Sequence, residues 1–326
     1  MKAFQILGLV CLTTAVASAD AAVTLKAGHI SPKPSAEGVA ADRFAELVKE
    51  KTKGEISVEM YPSEQLGKAT AMVDSTILGN QDIYIGGSPE FEKLSPALKV
   101  FGINYAVDSK EHMSKILKSP LWKEVNDAPL DKAGLTVLAS NWERTPYRVL
   151  VSTKPVRSFA DVNGLKLRIP PIDTWRRSWQ ALGAQVVVLP WTDVYLGLKQ
   201  GTVDAVTSPI SLLYSMKFTE VAKHVARIDE LWIVLEVVMN KKKFQSLNPR
   251  HQKALYEAAE QAGREFMKMT ETLADQELQR MKKEHGITYT EIDTGPARAK
   301  MVSVIRELEK QGAVPAGVYD RLQQLK

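Results

Sequence analysis

The sequence predicts an α/β protein of two lobes of similar build, joined by hinge crossovers and backed by a long helix that spans both. Three observations predict it. An order of strand, helix, strand, helix, Gly-x-x-Asp and strand occurs twice along the chain. The chain has 326 residues, enough for two domains with their own cores. Finally, apolar residues at helical spacing run from Leu255 to Met281, within a predicted helix of roughly 55 Å, longer than one lobe.

The first copy of the repeat comprises a strand over 23–29 and a helix over 37–51 with Ala40, Phe44, Leu47 and Val48 inward. A strand over 56–61, a helix over 66–78, Gly79-Asn80-Gln81-Asp82 and a strand over 83–85 complete it. In the second copy a strand over 165–169 ends at Pro170-Pro171, which cannot continue the ladder. A helix over 172–182 carries Ile172, Trp175, Trp179 and Leu182 on one face and stops at Gly183. A strand over 185–189, a helix over 192–199, Gly201-Thr202-Val203-Asp204 and a strand over 205–207 follow. Each copy reads as βαβ with a mostly parallel sheet.

Between the copies lie 91–107, rich in Leu, Pro and aromatics, a helix over 110–125 and a strand over 135–139, with Asn141-Trp142-Glu143 at the first crossover. The run over 231–239 is apolar on both faces and reads as a buried strand at the return crossover. Asn248 and Pro249 supply the cap and first turn of the long helix over 249–285, and Gly286 stops it. These signals divide the chain into lobe I, 20–141 with about 232–265, and lobe II, 142–231, with C-terminal helices over 296–326 packed outside.

The amino terminus reads as an export signal: Met1-Lys2, an apolar run over 4–16, then Ala17-Ser18-Ala19, with cleavage expected near Ala19 and a periplasmic destination. The single cysteine, Cys11, lies inside it, so the mature chain is expected to lack thiols and disulfides. The formal charge of +5 comes from 43 basic and 38 acidic residues spread evenly, and Lys241-Lys242-Lys243 is a short solvated turn, so no nucleic-acid partner is expected. The five histidines are scattered, and hydrolase, nucleotide-loop and metal-ligand patterns are absent, which argues against an enzyme, a cofactor or a metal.

Arg168 is the chain's most informative residue. It stands at the carboxyl end of a strand, before a helix amino terminus, where α/β sheets bind ligands and where an arginine fork suits a carboxylate. Arg148, 20 residues earlier, is a second candidate, with Arg144 nearby as a rival for the inward position. His29 closes the matching strand of the first copy, so a cleft between the lobes is expected. Gly87 and Ser88, in Gly86-Gly87-Ser88, offer backbone N–H groups after a strand. Trp142 fits either an apolar wall of the site or a plug at the hinge, Trp175 and Tyr214 fit either core or site, and Gln65 is a further lining candidate.

Over nearly its whole mature length the chain resembles the solute-binding proteins of tripartite ATP-independent periplasmic (TRAP) transporters, in the C4-dicarboxylate-binding family. Tyr61-Pro62-Ser63-Glu64-Gln65-Leu66-Gly67, the arginine strand Gly164 to Pro170, and Pro190-Trp191-Thr192-Asp193-Val194-Tyr195 with its continuation to Asp204 carry the resemblance. It implies a type II-like periplasmic binding protein that captures an organic anion between its lobes and passes it to a small and a large membrane subunit. It also implies a salt bridge from Arg168 to the ligand carboxylate and a role for Arg148. Ser208 stands where many members have asparagine, so the ligand class need not carry over. A monomer is expected. Two arginines suit either a diacid or one carboxylate held by both. A receptor reporting to a sensor kinase is the alternative role.

Overall fold

The computed structural model describes residues 23–144 and 146–326; the expected signal segment, Cys11 and the Ala19 cleavage point lie outside them. Two sheets organise the chain. The first contains β1 (Val23–His29), β2 (Ile56–Tyr61), β3 (Ile83–Gly87), β4 (Leu135–Glu143) and β10 (Val234–Asn240) in the order β2-β1-β3-β10-β4. The second contains β5 (Arg148–Ser152), β6 (Lys166–Ile169), β7 (Gln185–Val188), β8 (Ala205–Pro209), β9 (His224–Arg227) and β11 (Thr288–Glu291) in the order β11-β9-β5-β8-β6-β7.

The internal repeat survives as topology. In each sheet three parallel strands stand with the first of them in the middle, β2-β1-β3 and β7-β6-β8, and an antiparallel strand then joins the third, β10 in one and β5 in the other. The glycines of the two Gly-x-x-Asp segments do the same work in both: Gly79 and Gly201 end their helices in the left-handed conformation, at φ 80° and 74°, which only glycine adopts without strain.

The long helix forms over Pro249–His285, with the Asn248 side chain accepting from His251 N and Gly286 left-handed at its end. Its first half buries Leu255, Ala259, Ala262 and Phe266 in the core of the first sheet, and its second half buries Ala274, Leu278 and Met281 in that of the second. One apolar stripe therefore serves two cores.

Several expectations need correction. Asn141-Trp142-Glu143 do not form the crossover: β4 runs through Glu143, paired to Val234, so the chain passes to the second sheet over 144–147. The predicted helix over 110–125 is split in two, because Pro120 lacks an N–H and Ser119 is extended: one helix covers Lys110–Lys118 and a second helical run, with a π-turn in its middle, covers 120–132. Trp142 faces the long helix. Its indole nitrogen donates to Ala259 O at 2.8 Å and its ring packs on Phe266, while a Cβ at Gly263 would lie 2.5 Å from the indole.

Behind β4 lies one more buried polar group. Glu236 is fully buried, accepts from Ser140 Oγ at 2.6 Å, and has its other oxygen unpartnered. Burial, aided by the Asp127 charge, pushes its carboxyl up to about 8. The folded state thus holds this proton more tightly than the unfolded chain does. The resulting stability is complete below the ordinary glutamate value, about 4.3, and is lost as pH rises through about 8. Glu236→Gln, a neutral isostere, should raise the melting temperature at pH 8 by a few degrees and leave it unchanged at pH 4. Parallel melting curves across that range would mean the carboxyl titrates normally.

Candidate functional site: the cleft between the lobes

A cavity of about 360 Å³ lies between the carboxyl ends of the parallel strands of the two sheets. The second sheet supplies Arg168, the penultimate residue of β6, held by a hydrogen bond from Nε to Leu189 O at 2.9 Å and by the Trp191 ring, 5.2 Å from the guanidinium carbon. Pro170 and Pro171 wall the same cavity beside it. Arg168 is 6% exposed, and no acid among the described residues pairs with it. Burial pushes its guanidinium down to about 9, with Glu64 and Glu90 opposing, so it stays charged at neutral pH.

Arg148 opens β5 and also lines the cavity, but it is already neutralised. Its Nε donates to Glu230 Oε1 at 3.0 Å and a terminal nitrogen donates to Thr207 Oγ1 at 3.2 Å, with both members of the ion pair buried. Burial lowers the arginine and raises the glutamate from their ordinary values, and their mutual attraction resists both shifts. Arg144 is paired in the same way, its Nε donating to Glu37 Oε1 at 2.6 Å.

The first sheet's side of the cavity carries three carboxyl groups, Glu64, Glu90 and Glu92, beside Lys68, Lys93 and Arg144. Glu90 accepts from the Tyr84 hydroxyl, and burial pushes its carboxyl up. Glu92 accepts from Thr174 Oγ1 at 3.0 Å. Glu64 pairs with Lys68 at 2.9 Å and accepts from the Thr192 hydroxyl. The cavity thus combines one unpaired guanidinium, a set of carboxylate acceptors and an apolar wall of Trp175, Trp191, Ile172 and Leu212.

Of the residues singled out from sequence, Arg168, Arg148, its rival Arg144, Trp175 and Gly87 border this cavity, and the Arg148 guanidinium lies 5.7 Å from the Trp175 ring. The others do not. Trp142 is spent on the long helix, as described. Tyr214 packs against the far end of that helix, stacked on His285 and donating to Glu284 at 2.8 Å. Ser208 is fully buried with its hydroxyl on Pro209 O, and strand alternation gives the cavity wall to Thr207 and Pro209 instead. Ser88 is buried, Gln65 turns out to solvent, and His29 is buried behind Ile30, with burial lowering its pKa. Sequence reasoning missed Glu64, Lys68, Glu90, Glu92, Trp191 and Thr207; Glu64, Trp191 and Thr207 sit inside the quoted motifs, and that adjacency was the available signal.

Residues 27–311 match the model of the bacterial extracellular solute-binding protein family 7. The chain belongs to this family. Among its relatives, the 2,3-diketo-L-gulonate-binding periplasmic protein YiaO of Escherichia coli is 34% identical over 80% of this chain and 78% of its own length. The sialic acid-binding periplasmic protein SiaP of Vibrio cholerae is 28% identical over 97% of this chain and 98% of its own. A crystal structure of a TRAP periplasmic solute-binding protein from Ochrobacterium anthropi with bound L-fuconate superimposes with a TM-score of 0.86 at 26% identity, covering 94% of this chain and 99% of that one. The family 7 chain is accordingly a two-lobed TRAP solute-binding protein, and its arginine cleft lies where two such lobes meet.

Proposed function

We propose that this protein captures a small hydroxylated monocarboxylate on Arg168 and hands it to the small and large membrane subunits of a TRAP permease. The carrying observation is the pairing state of the cavity's arginines: Arg144 and Arg148 have buried glutamate partners, whereas Arg168 has none among the described residues. A desolvated cation without a counter-ion calls for one anionic group, and its fork grips a carboxylate with two parallel hydrogen bonds. A diacid spanning both arginines would have to compete with Glu230 for Arg148. The diketo-gulonate and fuconate named for relatives belong to the same class of hydroxylated acid.

Export with cleavage near Ala19 is part of this reading, and among the described residues no helix is long and apolar enough to cross a membrane. Ligand shifts the balance between open and closed lobes by its differential affinity for the closed form, the form taken to the permease. The test is a thermal-shift screen of ligand-stripped protein against aldonic, uronic, keto, aromatic and dicarboxylic acids. A binder at a hundred times its Kd adds about 2.7 kcal/mol of stability. Shifts from neutral or cationic solutes alone would sink the proposal.

A further inference from the structure

Glu64 sits in a loop built against local preference. Ser63 and Glu64 both take left-handed backbone conformations, φ 54° and 60°, although neither is glycine. Such strain persists only where the surroundings enforce it. Here Ser63 N donates to Ser31 O at 3.1 Å and Glu64 N to His29 O at 3.2 Å, fixing the loop to the end of β1. The strained turn aims the Glu64 side chain across the mouth of the cleft, where it is 5% exposed. Its Oε2 accepts from Lys68 Nζ at 2.9 Å and from the hydroxyl of Thr192, which belongs to the opposite side, and Lys68 also reaches Thr192 at 3.0 Å. Thr192 directly follows Trp191, the ring on which Arg168 rests. A continuous line of contacts therefore runs from the anion site to the end of β1.

The second oxygen, Oε1, has no hydrogen bond among the described residues, and Glu64 borders the cavity. An ionised carboxylate only accepts hydrogen bonds, so what it demands of a ligand is a donor. We infer that Glu64 is the residue that selects a ligand hydroxyl remote from the carboxylate, and that it does so with the same carboxylate whose other oxygen bridges the lobes. A ligand with a second carboxylate at that end meets like charge and leaves the bridge strained, so Glu64 also excludes diacids. Hydroxyl recognition and closure are thereby coupled through one side chain. The inference rests on the proposed capture of a carboxylate at Arg168.

Titration calorimetry on the mature chain, with D-erythronate, D-gluconate and L-galactonate set against hexanoate and adipate, tests it. Wild type is expected to bind at least one aldonate about a hundredfold tighter than adipate or hexanoate, and Glu64→Gln to cut the aldonate-to-adipate ratio about tenfold or more. A ratio unchanged within about twofold in Glu64→Gln, or adipate bound as tightly as any aldonate by wild type, overturns the assignment. Binding of no acid at all overturns the carboxylate reading along with it. Thr192→Val keeps Glu64 and its bond from Lys68 and removes the hydroxyl that donates to Glu64 and accepts from Lys68, which keeps the question open to measurement should Glu64→Gln fold poorly. In stopped flow it is expected to release the bound acid about tenfold faster with its preference over adipate intact; an unchanged release rate overturns the coupling.

Discussion

Arg168→Ala is expected to weaken ligand binding by about 2 to 5 kcal/mol, a loss of roughly 30-fold to several thousandfold in Kd, while the fold is retained. The size follows from the environment. Arg168 is 6% exposed and its cavity is walled by proline and tryptophan, so a bound carboxylate loses its water and must recover that loss from the guanidinium. The fold should tolerate the change, since the side chain holds one backbone carbonyl, Leu189 O, and its removal relieves a buried cation of its desolvation cost. Arg168→Lys keeps the charge but not the fork, and should fall between the two. Calorimetry on the tightest acid from the screen, beside melting curves of the ligand-free variants, gives the answer. A Kd within threefold of wild type for Arg168→Ala would remove this residue from the site.

How far the sequence reaches can be judged from particular residues. The doubled strand and helix order was legible because it is local: each element carries its own period, and Gly79, Gly183, Gly201 and Gly286 mark helix ends by conformations glycine takes freely. Arg168 was legible for the same reason, as the end of a strand cut off by two prolines. What stayed hidden depends on partners far away in the chain. β5 is five residues between loops and pairs with β8 and β9, more than 50 residues on, so nothing nearby marks it. Trp142 fits either a site wall or a hinge plug by sequence, and its place is set by Ala259 and Phe266 of the long helix, more than 100 residues on. Glu230 and Arg148 are 82 residues apart, so the neutralisation that separates the two arginines could not be read from either neighbourhood. Glu64 is the nearest miss: it stands in a quoted turn beside Gln65, but which of the two faces the cleft is decided by the positive φ of the loop, which residue type alone does not announce.

Breaking the Arg148–Glu230 pair should cost more stability than either removing both partners or deleting Arg168. Glu230 is completely buried, its backbone oxygen accepts from Tyr105 N at 2.7 Å, and its carboxylate is what keeps Arg148 tolerable in a site 2% exposed. Glu230→Ala leaves that cation without a counter-ion, and removing one member of a buried pair typically destabilises by about 3 to 5 kcal/mol. Because the shift per kcal/mol shrinks with chain length and is already only about 2 to 4 °C for domains of about 150 to 250 residues, melting should fall by several degrees. Arg148→Met combined with Glu230→Leu removes both charges and should recover most of the loss, because the pair's attraction largely offsets its own desolvation. The same variant carries a functional signature. With Glu230 gone, Arg148 becomes a second unpaired guanidinium on the cavity wall, so Glu230→Ala should gain affinity for a six-carbon diacid such as adipate relative to a monocarboxylate, even as it loses stability. Melting curves and paired calorimetric titrations separate the two effects. A Glu230→Ala protein that melts with wild type and keeps its ligand preference would mean that Arg148 does not need its partner, and that the argument for a single ligand carboxylate must be abandoned.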